Sequence, residues 1–84
     1  MKVKTIFFAG CQDAVGKREM EVDINEGTTV EKLLEELIKD HPALEPMKKS
    51  VMLSVNMEYV SPDTILHDGD EFAIIPPVSG GGNV

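Results

Sequence analysis

The segment Thr28-Thr29-Val30-Glu31-Lys32-Leu33-Leu34-Glu35-Glu36-Leu37-Ile38-Lys39 sets Val30, Leu33, Leu34, Leu37 and Ile38 at i, i+3, i+4, i+7 and i+8, an apolar stripe of helical period. Thr28, with Glu31 three residues later, matches a capping box at its start. Pro42 disfavours helical geometry at His41, so the helix is expected to stop there. The opposite face carries Glu31, Lys32, Glu35, Glu36 and Lys39. Glu35 and Lys39 are ordered for an i,i+4 pair worth only about 0.2–0.5 kcal/mol, whereas burial of each apolar side chain of the stripe contributes roughly 1.5–3 kcal/mol. Packing of the stripe on a sheet, and not surface charge, therefore decides this helix.

The flanking segments supply the sheet. From Lys2 to Ala9 the pattern alternates, with Val3, Thr5, Phe7 and Ala9 on one side and Lys2, Lys4, Ile6 and Phe8 on the other, as in a strand. Gly10 to Gly16, rich in Gly, Asp and Gln, reads as a turn. Met20, Val22 and Ile24 alternate with Glu19, Glu21 and Asp23, a half-buried strand with an acidic outer side. Beyond a loop holding Pro42 and Pro46, Val51 to Val55 reads as a strand, Asn56-Met57-Glu58 as a turn and Tyr59-Val60 as a short extended piece. Asp68-Gly69 marks a further turn, and Glu71 to Ile75 a last strand. Strand, strand, helix, strand, strand is an α+β order with one main helix across one face of a mixed sheet of four to five strands: the β-grasp, or ubiquitin-like, plan. The second sheet face is then open. If Phe7 and Phe72 face the helix, Phe8 and Ile75 face away, with Tyr59 beside them. Such a group suits protein binding; scattered exposed hydrophobes are the alternative.

Composition narrows the partners. An 84-residue chain is one domain with one modest core. Fifteen acidic against eight basic residues give a formal charge of −7, the wrong sign for phosphate binding, so no nucleic acid is expected and a basic protein surface suits better. The apolar runs are far shorter than the ~20 residues of a membrane span, and no basic start precedes a long apolar stretch, so the expectation is a soluble, cytoplasmic chain with no membrane partner. The lone Cys11 excludes an internal disulfide and fits a reducing compartment. With no basic residue or His adjoining it, it reads as an inert thiol. His41 beside a proline and His67 beside a turn have no second ligand at metal spacing, so no metal site is expected. Asp68, Asp70 and Glu71 read as turn chemistry. Gly80-Gly81-Gly82 opens no helix and makes no phosphate cradle.

The end of the chain, Ile74-Ile75-Pro76-Pro77-Val78-Ser79-Gly80-Gly81-Gly82-Asn83-Val84, divides the sequence into a domain over 1–76 and a flexible glycine tail over 77–84. The prolines remove two backbone donors and fix φ, so the strand must end in a stiff extended arm. Glycines without Cβ pass through narrow slots. At about 3.3 Å per residue, Pro77 to Gly81 reaches roughly 16 Å. Either the end is frayed, as is common in small domains, or it is delivered into another protein's active site; the tail alone leaves both open.

Phe7-Phe8-Ala9, the helix from Thr28 to Ile38, His67-Asp68-Gly69-Asp70-Glu71 and Pro76-Pro77-Val78-Ser79-Gly80-Gly81 together resemble the MoaD/ThiS family of ubiquitin-like sulfur carriers over residues 1 to 81. The double phenylalanine start and the Pro-Pro-Val-Ser-Gly-Gly end place the likeness nearer the molybdopterin synthase branch (MoaD) than the thiamine branch (ThiS). The resemblance implies that an E1-like adenylyltransferase, using ATP and Mg, activates the Gly81 carboxylate. Sulfur from a sulfur donor protein then makes a thiocarboxylate, and the tail enters the large synthase subunit (MoaE-like) to donate sulfur to cyclic pyranopterin monophosphate. Gly81 would carry the sulfur; Gly80, Ser79, Val78, Pro77 and Pro76 would thread or line the partner's slot; Phe8, Tyr59 and Ile75 would form the docking face. Catalytic side chains would belong to the partners, and no cofactor to this chain. A ubiquitin-like modifier, which would form isopeptide bonds, a thiamine-pathway sulfur carrier and a non-catalytic β-grasp interaction domain are the alternatives.

One departure matters. In the family the second glycine is the last residue, whereas Gly82-Asn83-Val84 follow Gly81 here. Gly81 then has a peptide carbonyl and no carboxylate, so removal of residues 82–84 by a processing peptidase is expected before activation.

Overall fold

The computed structural model describes residues 1–77. Its elements run β1 (Lys2–Phe7), α1 (Ala9–Val15), β2 (Glu19–Asp23), α2 (Val30–Asp40), a 3₁₀ helix (Pro42–Met47), β3 (Met52–Val55), β4 (Glu58–Tyr59) and β5 (Glu71–Ile75). The strands form one sheet in the order β2-β1-β5-β3-β4. β1 and β5 are parallel, and the other pairs antiparallel. This is the expected mixed-sheet β-grasp.

The stripe Val30, Leu33, Leu34, Leu37 and Ile38 is buried. It packs with Val3, Phe7, Phe72 and Ile74 from the sheet, and with Leu44 and Leu66 from the connections, into one core. Along β1 the burial alternates, so Val3, Thr5 and Phe7 face that core and Lys2, Lys4 and Ile6 do not. The cap of α2 differs by one residue from the sequence expectation: Thr29 Oγ1 accepts from Lys32 N at 3.2 Å, while Thr28 Oγ1 donates to Asn25 O at 2.7 Å. The shift follows from the loop beneath the helix start. Thr29 bridges to Ile65, Leu66 N donates to Thr28 O, and Val30 N and Glu31 N donate to Thr64 O and Pro62 O. These bonds hold Thr28 out of the helix and satisfy two of its orphan donors. Asp40 is the last residue of α2, and His41 N closes onto Leu37 O at 2.8 Å. Among the described residues Glu35 and Lys39 form no ion pair.

Gly10 to Gly16 is not a turn. Ala9–Val15 is a short helix that buries Cys11 and ends on Gly16 at φ 84°, the left-handed residue that closes a helix. Ala9 accordingly leaves β1 for this helix. It lies against the 3₁₀ helix, where Cys11 Sγ stands 3.8 Å from Met47 Sδ. The Pro42–Met47 loop is itself helical and buries Leu44.

Candidate docking face and tail root

Cross-strand register builds the open face of the sheet. Ile6 pairs with Ala73, Ala73 with Ser54, and Ser54 with Tyr59, so one row of side chains crosses four strands. Small residues occupy its middle, and both are buried although no helix covers them. Large ones stand around them. Phe8, extended at φ −107°, ψ 147°, continues the alternation of β1 and donates its N–H to Ile74 O at 3.3 Å, which sets its ring near Ile75. The result is a concavity of about 380 Å³ lined by Ile6, Phe8, Ser54, Met57, Tyr59, Glu71, Ala73 and Ile75. Phe8, Tyr59 and Ile75, named from strand parity, therefore meet around one hollow.

Charge borders it on the β1–β2 side. Lys4 Nζ lies 3.2 Å from Glu19 and 4.0 Å from Glu71, and Lys2 Nζ 3.4 Å from Asp23. These pairs are exposed and add little stability; with two lysines against Asp23, Glu19 and Glu71 the flank keeps a negative excess, and the lining of the hollow beside it is mostly apolar. A second groove, of about 370 Å³, lies beyond Tyr59 with Leu34, Lys48, Lys49 and Val60 in its wall; Tyr59 is the one candidate residue that reaches it.

The root of the tail adjoins the hollow. Ile75 pairs with Met52 at the end of β5, and Pro76 and Pro77 follow, the latter exposed. Val78, Ser79, Gly80 and Gly81, as well as the proposed cut after Gly81, lie outside the described residues.

The other chemistry-bearing residues serve the fold. Asp68 Oδ1 accepts from Lys2 N at 2.8 Å, and Asp70 accepts from His67 N at 2.8 Å and from Asn56 Nδ2 at 3.0 Å, so both carboxylates hold turns. His67 Nδ1 lies 3.8 Å from Asp70 Oδ2 on the surface. Cys11 is fully buried, and burial pushes its thiol up from the ordinary value, which disfavours the nucleophilic thiolate. Among the described residues no helix is long and apolar enough to cross a membrane.

The ThiS family model matches residues 5–81, ending on Gly81. The chain belongs to the ThiS family. Its relatives include the molybdopterin synthase sulfur carrier subunit of Chlamydomonas reinhardtii, 41% identical, with 96% of this chain and 100% of the relative covered. The subunit of the same name in Arabidopsis thaliana is 36% identical, over 96% of this chain and 84% of the relative. Among solved structures, SAMP1 from Haloferax volcanii superposes with a TM-score of 0.85 at 30% identity, over 96% of this chain and 100% of that one.

For this ThiS-family chain, the candidates Phe8, Tyr59 and Ile75 leave out Ile6, Ser54, Met57, Glu71 and Ala73, which also line the hollow. The alternation of β1 already put Ile6 beside Phe8. Met57 was hidden because Asn56-Met57 reads as a turn, and a turn residue carries no face assignment.

Proposed function

We infer that the chain is a sulfur carrier of molybdopterin synthesis, docking by the Phe8–Tyr59–Ile75 face and delivering its C-terminal tail into a large synthase subunit. The observation that carries this reading is the apolar hollow at the root of the tail. A protein that swallows the tail must also cover the ground from which it departs. The names of the relatives, and the end of the family match on Gly81, support the same reading.

The chemistry needs partners. A glycine carboxylate, with a pKa near 3.5, is ionised at neutral pH and is a poor acyl donor. In the proposed sequence an E1-like adenylyltransferase lets that carboxylate attack the α-phosphorus of ATP with Mg bound, and pyrophosphate leaves. The terminal sulfur of a persulfide on the donor protein then attacks the acyl carbon and AMP leaves; a second protein thiolate attacks the donor-side sulfur of the resulting acyl disulfide, forming a disulfide with the donor and releasing the thiocarboxylate. The thiocarboxylate on Gly81 enters the large subunit, with Gly80 and Ser79 in its slot. Before any of this a peptidase removes Gly82-Asn83-Val84; activation at Val84 instead would overshoot by up to about 10 Å. The steps belong to a cytoplasmic, reducing setting.

Intact mass measurement of the untagged chain from its own cell tests the proposal. The expected species lacks residues 82–84 and carries sulfur in place of one oxygen; a persistent full-length mass would exclude processing. The likeness to SAMP1, small archaeal modifier protein 1, favours a second reading, a ubiquitin-like modifier, which the same sample would reveal as isopeptide bonds to target lysines.

A further inference from the structure

Asn56 and Met57 form the two-residue loop between β3 and β4, with Val55 paired to Glu58 across it. Both loop residues have positive φ, 52° and 72°, the signature of a type I′ hairpin turn. Asparagine tolerates this left-handed region, and glycine is the residue ordinarily found at the second position. A long unbranched side chain is strained there.

The free domain gains nothing in return. Met57 is 89% exposed, more than any other large hydrophobic residue described, so its thioether side chain finds little packing to offset the backbone strain. The turn is also held firmly. Asn56 N donates to Glu71 O at 2.8 Å, Asn56 Nδ2 to Asp70 Oδ1 at 3.0 Å, and Glu71 N to Asn56 Oδ1 at 3.0 Å. A clamped, strained turn thus presents one apolar side chain on the rim of the hollow that Phe8, Tyr59 and Ile75 share. Backbone strain kept without internal compensation points outward, to a partner.

We propose that Met57 is a docking anchor and specificity residue, its thioether entering an apolar socket on the large synthase subunit. The inference rests on the docking reading above. The occupant follows from the position of the rim: the hollow includes Ile75, the last residue of β5, beyond which the chain continues through Pro76 and Pro77 into the tail. The protein that accepts the tail therefore covers Met57. Methionine suits such a contact because its flexible, polarisable side chain fills irregular apolar gaps and packs on aromatic rings.

The test is calorimetric titration of the chain ending at Gly81, the processed form proposed above, and of its Met57→Gly, Met57→Leu, Phe8→Ala and Tyr59→Ala variants with the large synthase subunit of the same cell, with thermal melts of each variant. Met57→Gly should melt higher than the parent, because glycine relieves the turn, yet bind about ten-fold more weakly. Met57→Leu, which restores an apolar side chain of similar length, should bind nearly as the parent does. If Phe8→Ala and Tyr59→Ala weaken binding while Met57→Gly does not, Met57 is no anchor and the docking face stands without it. If none of the three weakens binding, or the parent does not bind, the docking reading itself falls.

Discussion

Phe7 and Phe8 are neighbours in sequence and stand on opposite faces of the sheet, Phe7 at 1% exposure in the core and Phe8 at 45% on the open side. One step along the chain separates the core from the open face. Phe7→Ala should cost about 3–5 kcal/mol of stability through lost burial and the cavity left behind. Phe8→Ala should change stability by no more than about 0.5 kcal/mol, while weakening association with the large subunit. Chemical denaturation of both variants, beside a binding titration, checks the contrast. Equal destabilisation by the two would mean that the open face is structural.

The α2 stripe was fully legible because its five apolar positions have one solution, and all are buried. Its cap was not, because Thr28 and Thr29 are chemically alike. Contacts with the loop from Pro62 to Leu66, which is distant in sequence, select Thr29. Thr29→Ala should therefore cost about 1 kcal/mol, in the usual range for a lost N-cap. Thr28→Ala, which removes a hydroxyl donor to an exposed turn, should cost less. A reversed order in urea melts would return the cap to Thr28.

Thr5 lies in the buried row of β1 at 0% exposure, and its Oγ1 has no hydrogen-bond partner. A buried, unsatisfied hydroxyl costs about 1–3 kcal/mol. Thr5→Val keeps the β-branched shape and removes that cost, so it should stabilise the domain by about 1 kcal/mol, a rise of about 4–8 °C in Tm for a domain this small. An unchanged or lower Tm would indicate that the hydroxyl is satisfied in solution. The alternation placed Thr5 on the core side, but no sequence pattern reveals whether a buried hydroxyl finds an acceptor.

Sheet parity made Phe8 and Ile75 legible as a shared face, since a strand offers two sides and Phe7 and Phe72 claim the inner one. Two parts escaped. Helix α1 escaped because a short helix with Gly10 near its start shows too little period, and the burial of Cys11 against Met47 is a tertiary contact. The hollow escaped because it depends on register: Ala73 faces Ser54 and Ile6 across neighbouring strands, and only that alignment puts small side chains at its centre and large ones at its rim.

Cys11 supplies a pH-dependent test of the α1 packing. Burial raises its thiol above the ordinary value of 9.0, so the unfolded chain gives up this proton at lower pH than the folded one. Its contribution to stability is complete below pH 9.0 and is lost as pH rises toward the raised folded value. Denaturation curves of the parent should therefore lose stability on the alkaline side more steeply than those of Cys11→Ala, which begins less stable because it leaves a small cavity. The same burial should keep the thiol from reacting with a disulfide reagent at neutral pH until denaturant is added. Rapid reaction in the native state would show that α1 opens from the 3₁₀ helix, and would remove Cys11 from the core.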